Sequence, residues 1–208
     1  MATRTYEQRR RAKDAEKTRA RIIEAVFERL REAPAQPVAI DQVARSAGVA
    51  RSTVYAIFGS RSGLFDAVGR ELGDRSGYAQ LLDAKHQPDA RDYLRAGMRA
   101  YGEMIAANRD IYRALRSMAQ LDEQAVGEVV SRMDDERAAA MRRLAARLSE
   151  QGALRDDLTV KEAEHILFLL TSFESFDTLY AGRRLSRDRA VDLLIETAER
   201  ALYGKQRS

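Results

Sequence analysis

At 208 residues, 45% apolar and 33% charged, the chain is long enough for one or two domains with sizeable cores. It holds no cysteine, which excludes disulfides, thiolate metal sites and a cysteine nucleophile. The net charge of +4 is unevenly spread: residues 1–75 carry 15 Lys/Arg against 10 Asp/Glu, and residues 76–208 carry 21 against 22. A basic surface confined to the first third attracts polyanions.

The opening residues lack an apolar signal core, and no run approaches the ~20 apolar residues of a membrane span. A cytoplasmic protein with no membrane partner is expected. Three prolines (Pro34, Pro37 and Pro88) and almost no alternating β-branched runs predict an all-α fold of about nine helices.

Residues 1–13, with Arg4, Arg9, Arg10 and Arg11, read as a basic flexible arm. A helix is expected from Asp14 to about Glu32, with Ile22, Ile23, Val26, Phe27 and Leu30 on one face and Lys17 placed to reach phosphate. Ala33-Pro34-Ala35-Gln36-Pro37 ends it. Two short helical patterns then meet at Gly48, the layout of a helix-turn-helix. Ile40, Val43 and Ala44 form the apolar face of the first, and Val54 and Phe58 that of the second. Arg51, Ser52, Thr53, Tyr55 and Ala56 are left to face outward, and a short helix with such a front suits the DNA major groove.

Beyond Ser60 the pattern is helices and short turns. Apolar stripes run through Leu64–Leu72, Leu94–Ile105, Ile111–Ala119 and Val126–Leu148. Thr159 and Glu162 have capping-box spacing, and Ser186 can cap the last helix. The expected domains are a helix-turn-helix head at 14–60 and a helical regulatory and dimerisation domain at 61–208.

From Arg21-Ile-Ile-Glu-Ala25 through Val43-Ala44, Ala47-Gly48-Val49, Thr53-Val54-Tyr55, Phe58, Ser60-Arg61 and Leu64, the sequence resembles the tetracycline-repressor (TetR) family of bacterial transcriptional regulators. The resemblance covers residues 14–68 without a gap. The chain departs from the family pattern at Ala39, usually threonine, so that Asp41 is expected to supply the cap of the second helix. Ala50, Ser52, Ile57 and Arg61 also replace the usual residues.

The resemblance implies that Thr53 and Tyr55 donate to phosphate and that Arg61 pairs with phosphate, contacts that position without reading sequence. Arg51 is the best base reader, since its fork matches guanine O6 and N7; Ser52 and Ala56 are weaker candidates. The resemblance also implies a pocket for a small-molecule effector in the middle helices. Its expected lining is Tyr101, Met104, Tyr112, Met118, Met133, Arg137, Met141, His165, Phe168 and Phe173. Arg137 is expected at an exposed edge of its stripe; a buried Arg137 would need Glu174, Asp177 or an anionic ligand as partner.

A palindromic operator on double-stranded DNA calls for a homodimer. Ile166, Leu170, Val191, Leu194, Ile195, Ala198 and Leu202 are expected to form its four-helix interface. No cofactor is called for, and neither Gly-x-Ser-x-Gly nor a phosphate-cradling glycine loop occurs, so no enzyme is expected. Two rivals are weighed: a helical metalloenzyme using Glu162 and His165, and a protein that binds anionic membrane through its basic first third.

Overall fold

The computed structural model describes the backbone of residues 2–34 and 36–204, with side chains from these except residues 2–9 and 11. Eleven α-helices are present and no strand among the described residues. They are α1 (Ala2–Glu32), α2 (Ile40–Ser46), α3 (Arg51–Phe58), α4 (Arg61–Arg75), α5 (Tyr78–Ala84) and α6 (Ala90–Ala107). α7 (Arg109–Ala119), α8 (Glu128–Glu150), α9 (Val160–Leu170), α10 (Phe173–Asp177) and α11 (Arg187–Leu202) follow. The short α5 and α10, of 7 and 5 residues, bring the number above the expected nine. Two π-helical turns, Glu123–Gly127 and Thr178–Gly182, precede α8 and follow α10.

α1 starts at Ala2 rather than Asp14. Residues 2–13 contain neither Gly nor Pro and are rich in Arg, Gln, Glu and Ala, which propagate helix. Arg10 is exposed, and the side chains of Arg4, Arg9 and Arg11 lie outside the described residues.

The chain divides into two compact units, Met1–Leu72 with Asp110–Ser131, and Gly73–Arg109 with Arg132–Ser208. The first unit thus includes most of α4, α7 and the first π-turn. The reason is apolar. Leu64, Phe65, Val68 and Leu72 are buried, and so are Ile111, Leu115 and Met118 in the same unit. Full burial of each such side chain contributes roughly 1.5–3 kcal/mol. Ile22, Ile23, Val26, Phe27 and Leu30 of α1, with Val43 of α2 and Val54 of α3, complete this core.

Gly48 makes the turn between α2 and α3. Its φ of 64° lies in the left-handed region, which costs any residue with a Cβ. That conformation lets Val49 N donate to Ala44 O at 2.9 Å and closes α2.

In the second unit α6 packs on α5 and α11, and α9 packs on α11. Helix starts are capped as their sequences dictate. Asp89 accepts from Arg91 N at 2.6 Å, and Ser186 accepts from Arg189 N at 3.2 Å. Thr159 and Glu162 form a complete capping box. α6 approaches α11 closely at Gly102, where a Cβ would lie 2.3 Å from Val191 Cγ2. Only glycine fits there without moving a buried side chain.

Candidate nucleic-acid interface

α3 is two-faced. Val54 is buried on its back, with Ile57 and Phe58 half-buried beside it. Arg51, Ser52, Tyr55 and Ala56 are exposed on the front, and Thr53 is half-buried. The division follows from helical spacing: positions 54 and 58 share one stripe, and positions 51, 52, 55 and 56 lie off it. The expected front residues are therefore brought together on one helix of 8 residues.

Arg51 is not loose on that front. Its Nη1 donates to Asp41, at 3.2 Å from Oδ1 and 3.3 Å from Oδ2. Its Nη2 donates to the Tyr55 hydroxyl at 3.4 Å, and the guanidinium carbon lies 5.6 Å from the Tyr55 ring centre. The Tyr55 hydrogen bond, and secondly the Asp41 charge, raise the Arg51 pKa further above its ordinary range. Asp41 had been expected to cap α2. Instead the N-cap, Ala39, has no side-chain cap bond, and the carboxylate faces Arg51. The helix-turn-helix sets these two residues, ten apart in sequence, side by side. No local pattern marks such a pair.

Arg61 has a different environment. Its Nε donates to Asp122 Oδ2 at 2.9 Å, its Nη2 bonds the same oxygen, and its Nη1 bonds the Val38 carbonyl. The guanidinium also lies 5.2 Å from the Phe65 ring centre. Asp122 uses its other oxygen to cap the π-turn, accepting from Ala125 N at 3.2 Å, and Ser62 Oγ donates to Gln124 O at 3.0 Å. The side chains of Arg61 and Asp122 are only 29% and 22% exposed. Every nitrogen of the Arg61 fork is thus engaged within the chain. Lys17 is exposed on α1, and Arg19 lies 5.9 Å from the Phe58 ring centre.

A family model described as bacterial regulatory proteins of the TetR family matches residues 22–68, which span the end of α1, all of α2 and α3, and half of α4. Over that stretch the chain is similar to the TetR family.

Solved structures extend the likeness of fold along most of the chain. NalD from Pseudomonas aeruginosa, the secondary repressor of the MexAB-OprM multidrug efflux pump, is 24% identical with a TM-score of 0.70. That match covers 92% of this chain and 98% of NalD. A TetR-like regulator from Rhodococcus sp. RHA1 is 22% identical with a TM-score of 0.65, covering 90% of this chain and 97% of the other. A TetR-family regulator from Marinobacter aquaeolei VT8 is 18% identical with a TM-score of 0.64, covering 94% and 100%. No curated protein sequence matches the chain.

The residues expected to line an effector pocket do not form one cavity. Tyr112 and Met118 are buried in the first unit. In the second, Met104 and Phe173 are buried, Tyr101, Met133, Arg137, Met141 and Phe168 are half-buried, and His165 is exposed. A partly open cavity of about 10 Å³ is lined by Met98, Tyr101, Gly102, Thr171 and Phe176, with Leu170, Val191 and Leu194. That is no more than the ~10–15 Å³ needed to hold a single water. An open, polar cleft of about 350 Å³ lies instead between Glu103, Ala106, Ala107, Tyr180, Arg187 and Asp188. None of these six had been singled out, since polar residues at a helix edge carry no pocket signal.

Arg137 is paired, but not with Glu174 or Asp177. Its Nη2 donates to Asp134 Oδ1 at 3.1 Å, its Nη1 bonds the Phe168 carbonyl, and the guanidinium carbon lies 3.7 Å from the Phe168 ring centre. It thus closes the C-terminal turn of α9. Asp177 is held by Arg109.

Five of the seven residues expected at a dimer interface are covered within the single chain. Val191, Leu194, Ile195, Ala198 and Leu202 are at most 8% exposed within the single chain, so their stripe serves the core of their own subunit. Ile166 and Leu170 are half-buried, and the apolar side chain that does face out on α9 is Leu169, 65% exposed.

Glu162 of the Glu-x-x-His pair is occupied by its capping box, accepting from Thr159 N at 2.9 Å and from the Thr159 hydroxyl at 2.7 Å. Those bonds hold its carboxyl below the ordinary range. Among the described residues no group of three or more His, Cys, Asp or Glu is placed to hold a metal, and no helix is long and apolar enough to cross a membrane.

Proposed function

We propose that this chain is an effector-responsive repressor that binds a palindromic operator as a homodimer and acts by binding rather than catalysis. The observation that carries the reading is the front of α3. An exposed arginine with free donors stands among hydroxyl groups on a helix whose back is locked in a core. Arg51 takes the base-reading role, the Thr53 and Tyr55 hydroxyls meet phosphate, and Ser52, Ala56 and Lys17 border the same DNA.

Dimerisation through the outward faces of α9 and α11 is supported by exposed Leu169 and half-buried Ile166, Leu170 and Leu193. Isologous pairing of such a face buries the apolar groups that the fold leaves in water. An effector acts by favouring one of two states of the dimer, and widening the narrow apolar centre of the second unit would make one of them.

Selection of random-sequence duplexes by the purified chain tests the reading. Enrichment of an inverted repeat, with half-site centres one helical turn (~34–36 Å) or a multiple apart, is expected. Enrichment of single, unrepeated sites, or of nothing, overturns it.

A further inference from the structure

Asp41 stands on the exposed face of the head, in the first turn of α2, where its charge adds only a small favourable interaction with the helix dipole. It makes no side-chain cap bond, it is 54% exposed, and it pairs with Arg51. An ion pair with both members this exposed contributes little to stability. On a surface that meets a polyanion, a carboxylate also lowers affinity by repelling phosphate. Its consequence must therefore lie in what it does to Arg51.

The donor count defines that consequence. A guanidinium carries five N–H groups. Asp41 takes a donor of Nη1 and Tyr55 takes one of Nη2, so three remain, including one on each of those nitrogens. A guanine edge needs two. The two protein partners fix the plane of the fork without exhausting it, and the Tyr55 ring lies alongside. A free arginine on the same helix would settle on phosphate as readily as on a base, because its charge suits both.

We propose that Asp41 is a specificity-determining residue. It holds the Arg51 fork in the orientation that reads guanine, and its charge weakens sequence-independent attraction to the phosphate backbone. The proposal rests on the reading of α3 as the element that enters the major groove. It assigns opposite effects to one side chain: Asp41 lowers affinity for DNA in general and raises discrimination among sequences.

The test uses the full-length chain, duplexes selected from a random library by the wild type, and the same duplexes with single base pairs replaced. Binding is measured at several salt concentrations. Asp41→Ala is expected to bind unrelated duplex several-fold tighter with a steeper salt dependence. It is also expected to lose about tenfold in discrimination at the base pair that Arg51→Ala ceases to read. Asp41→Glu should keep most of that discrimination. The double variant should discriminate no worse than Arg51→Ala alone, since the two residues act as one device.

Asp41→Ala binding all duplexes more tightly by one common factor overturns the proposal, because the carboxylate is then only a repelling charge. Loss of discrimination at a base pair independent of Arg51 overturns it as well. Both results leave the major-groove reading standing. An Arg51→Ala chain that still reads every base pair removes that reading and this proposal together. Unchanged thermal melting of all variants confirms that folding is not what is being measured.

Discussion

On the front of the head, charge is kept in water; inside the second unit, apolar groups are pressed together until a glycine is required. Arg51, Asp41 and Tyr55 pair across α2 and α3 while remaining exposed. Around Gly102 the buried Val191, Phe176 and Leu194 leave a cavity of about 10 Å³. The first arrangement gives little to stability and retains donors for a partner. The second gives stability and leaves little to offer outside. Within the head the same contrast separates two arginines, with Arg51 held at the surface and Arg61 drawn inward to Asp122 and the Val38 carbonyl.

The largest expected effect is in the second unit. Gly102→Ala would place a Cβ against Val191 and is expected to cost about 3 kcal/mol by overpacking. Combining it with Val191→Ala should recover much of that loss in chemical denaturation. If Gly102→Ala alone proves neutral, α6 and α11 are not in the close contact described.

Next comes Arg61→Ala, at about 2–3 kcal/mol, because it strands a mostly buried carboxylate and a backbone carbonyl. Gly48→Ala should cost about 1–2 kcal/mol through its left-handed φ, with DNA affinity falling in step.

A smaller effect of opposite sign is expected at Tyr203. Its hydroxyl is buried with no hydrogen-bond partner among the described residues, and burial pushes the phenol up to about 12. A folded pKa above the ordinary 10 means stability that is present below pH 10 and lost as pH rises toward 12. Tyr203→Phe should raise stability at neutral pH by about 1 kcal/mol. It should also flatten the alkaline fall seen in melts between pH 9 and ~11.

The helix-turn-helix was legible because its signals are local. A glycine turn, two apolar stripes and the fixed spacing from Arg21 to Leu64 all lie within one short stretch. The capping box at Thr159 and Glu162 was legible for the same reason. What escaped was non-local or ambiguous in kind. Arg61 and Asp122 lie 61 residues apart, and no periodicity announces that pairing. The stripe Val191–Leu202 shows that α11 is covered on one side, but an apolar stripe does not say whether the cover is the same chain or a second copy. α5 and α10 are too short for periodicity to separate them from their neighbours. The Asp41–Arg51 pair falls between these cases: both residues were noted, each for a role within its own helix.

The division between a reading arginine and a structural one is tested most directly by comparing Arg51→Ala with Arg61→Ala. Each is melted, then titrated with a duplex selected by the wild type and with a scrambled duplex. Arg51→Ala should melt as the wild type does and lose its preference for the selected duplex. Arg61→Ala should melt earlier and, at a temperature where it is folded, keep that preference. The reverse pattern, with Arg51→Ala unstable and still selective, would contradict the account.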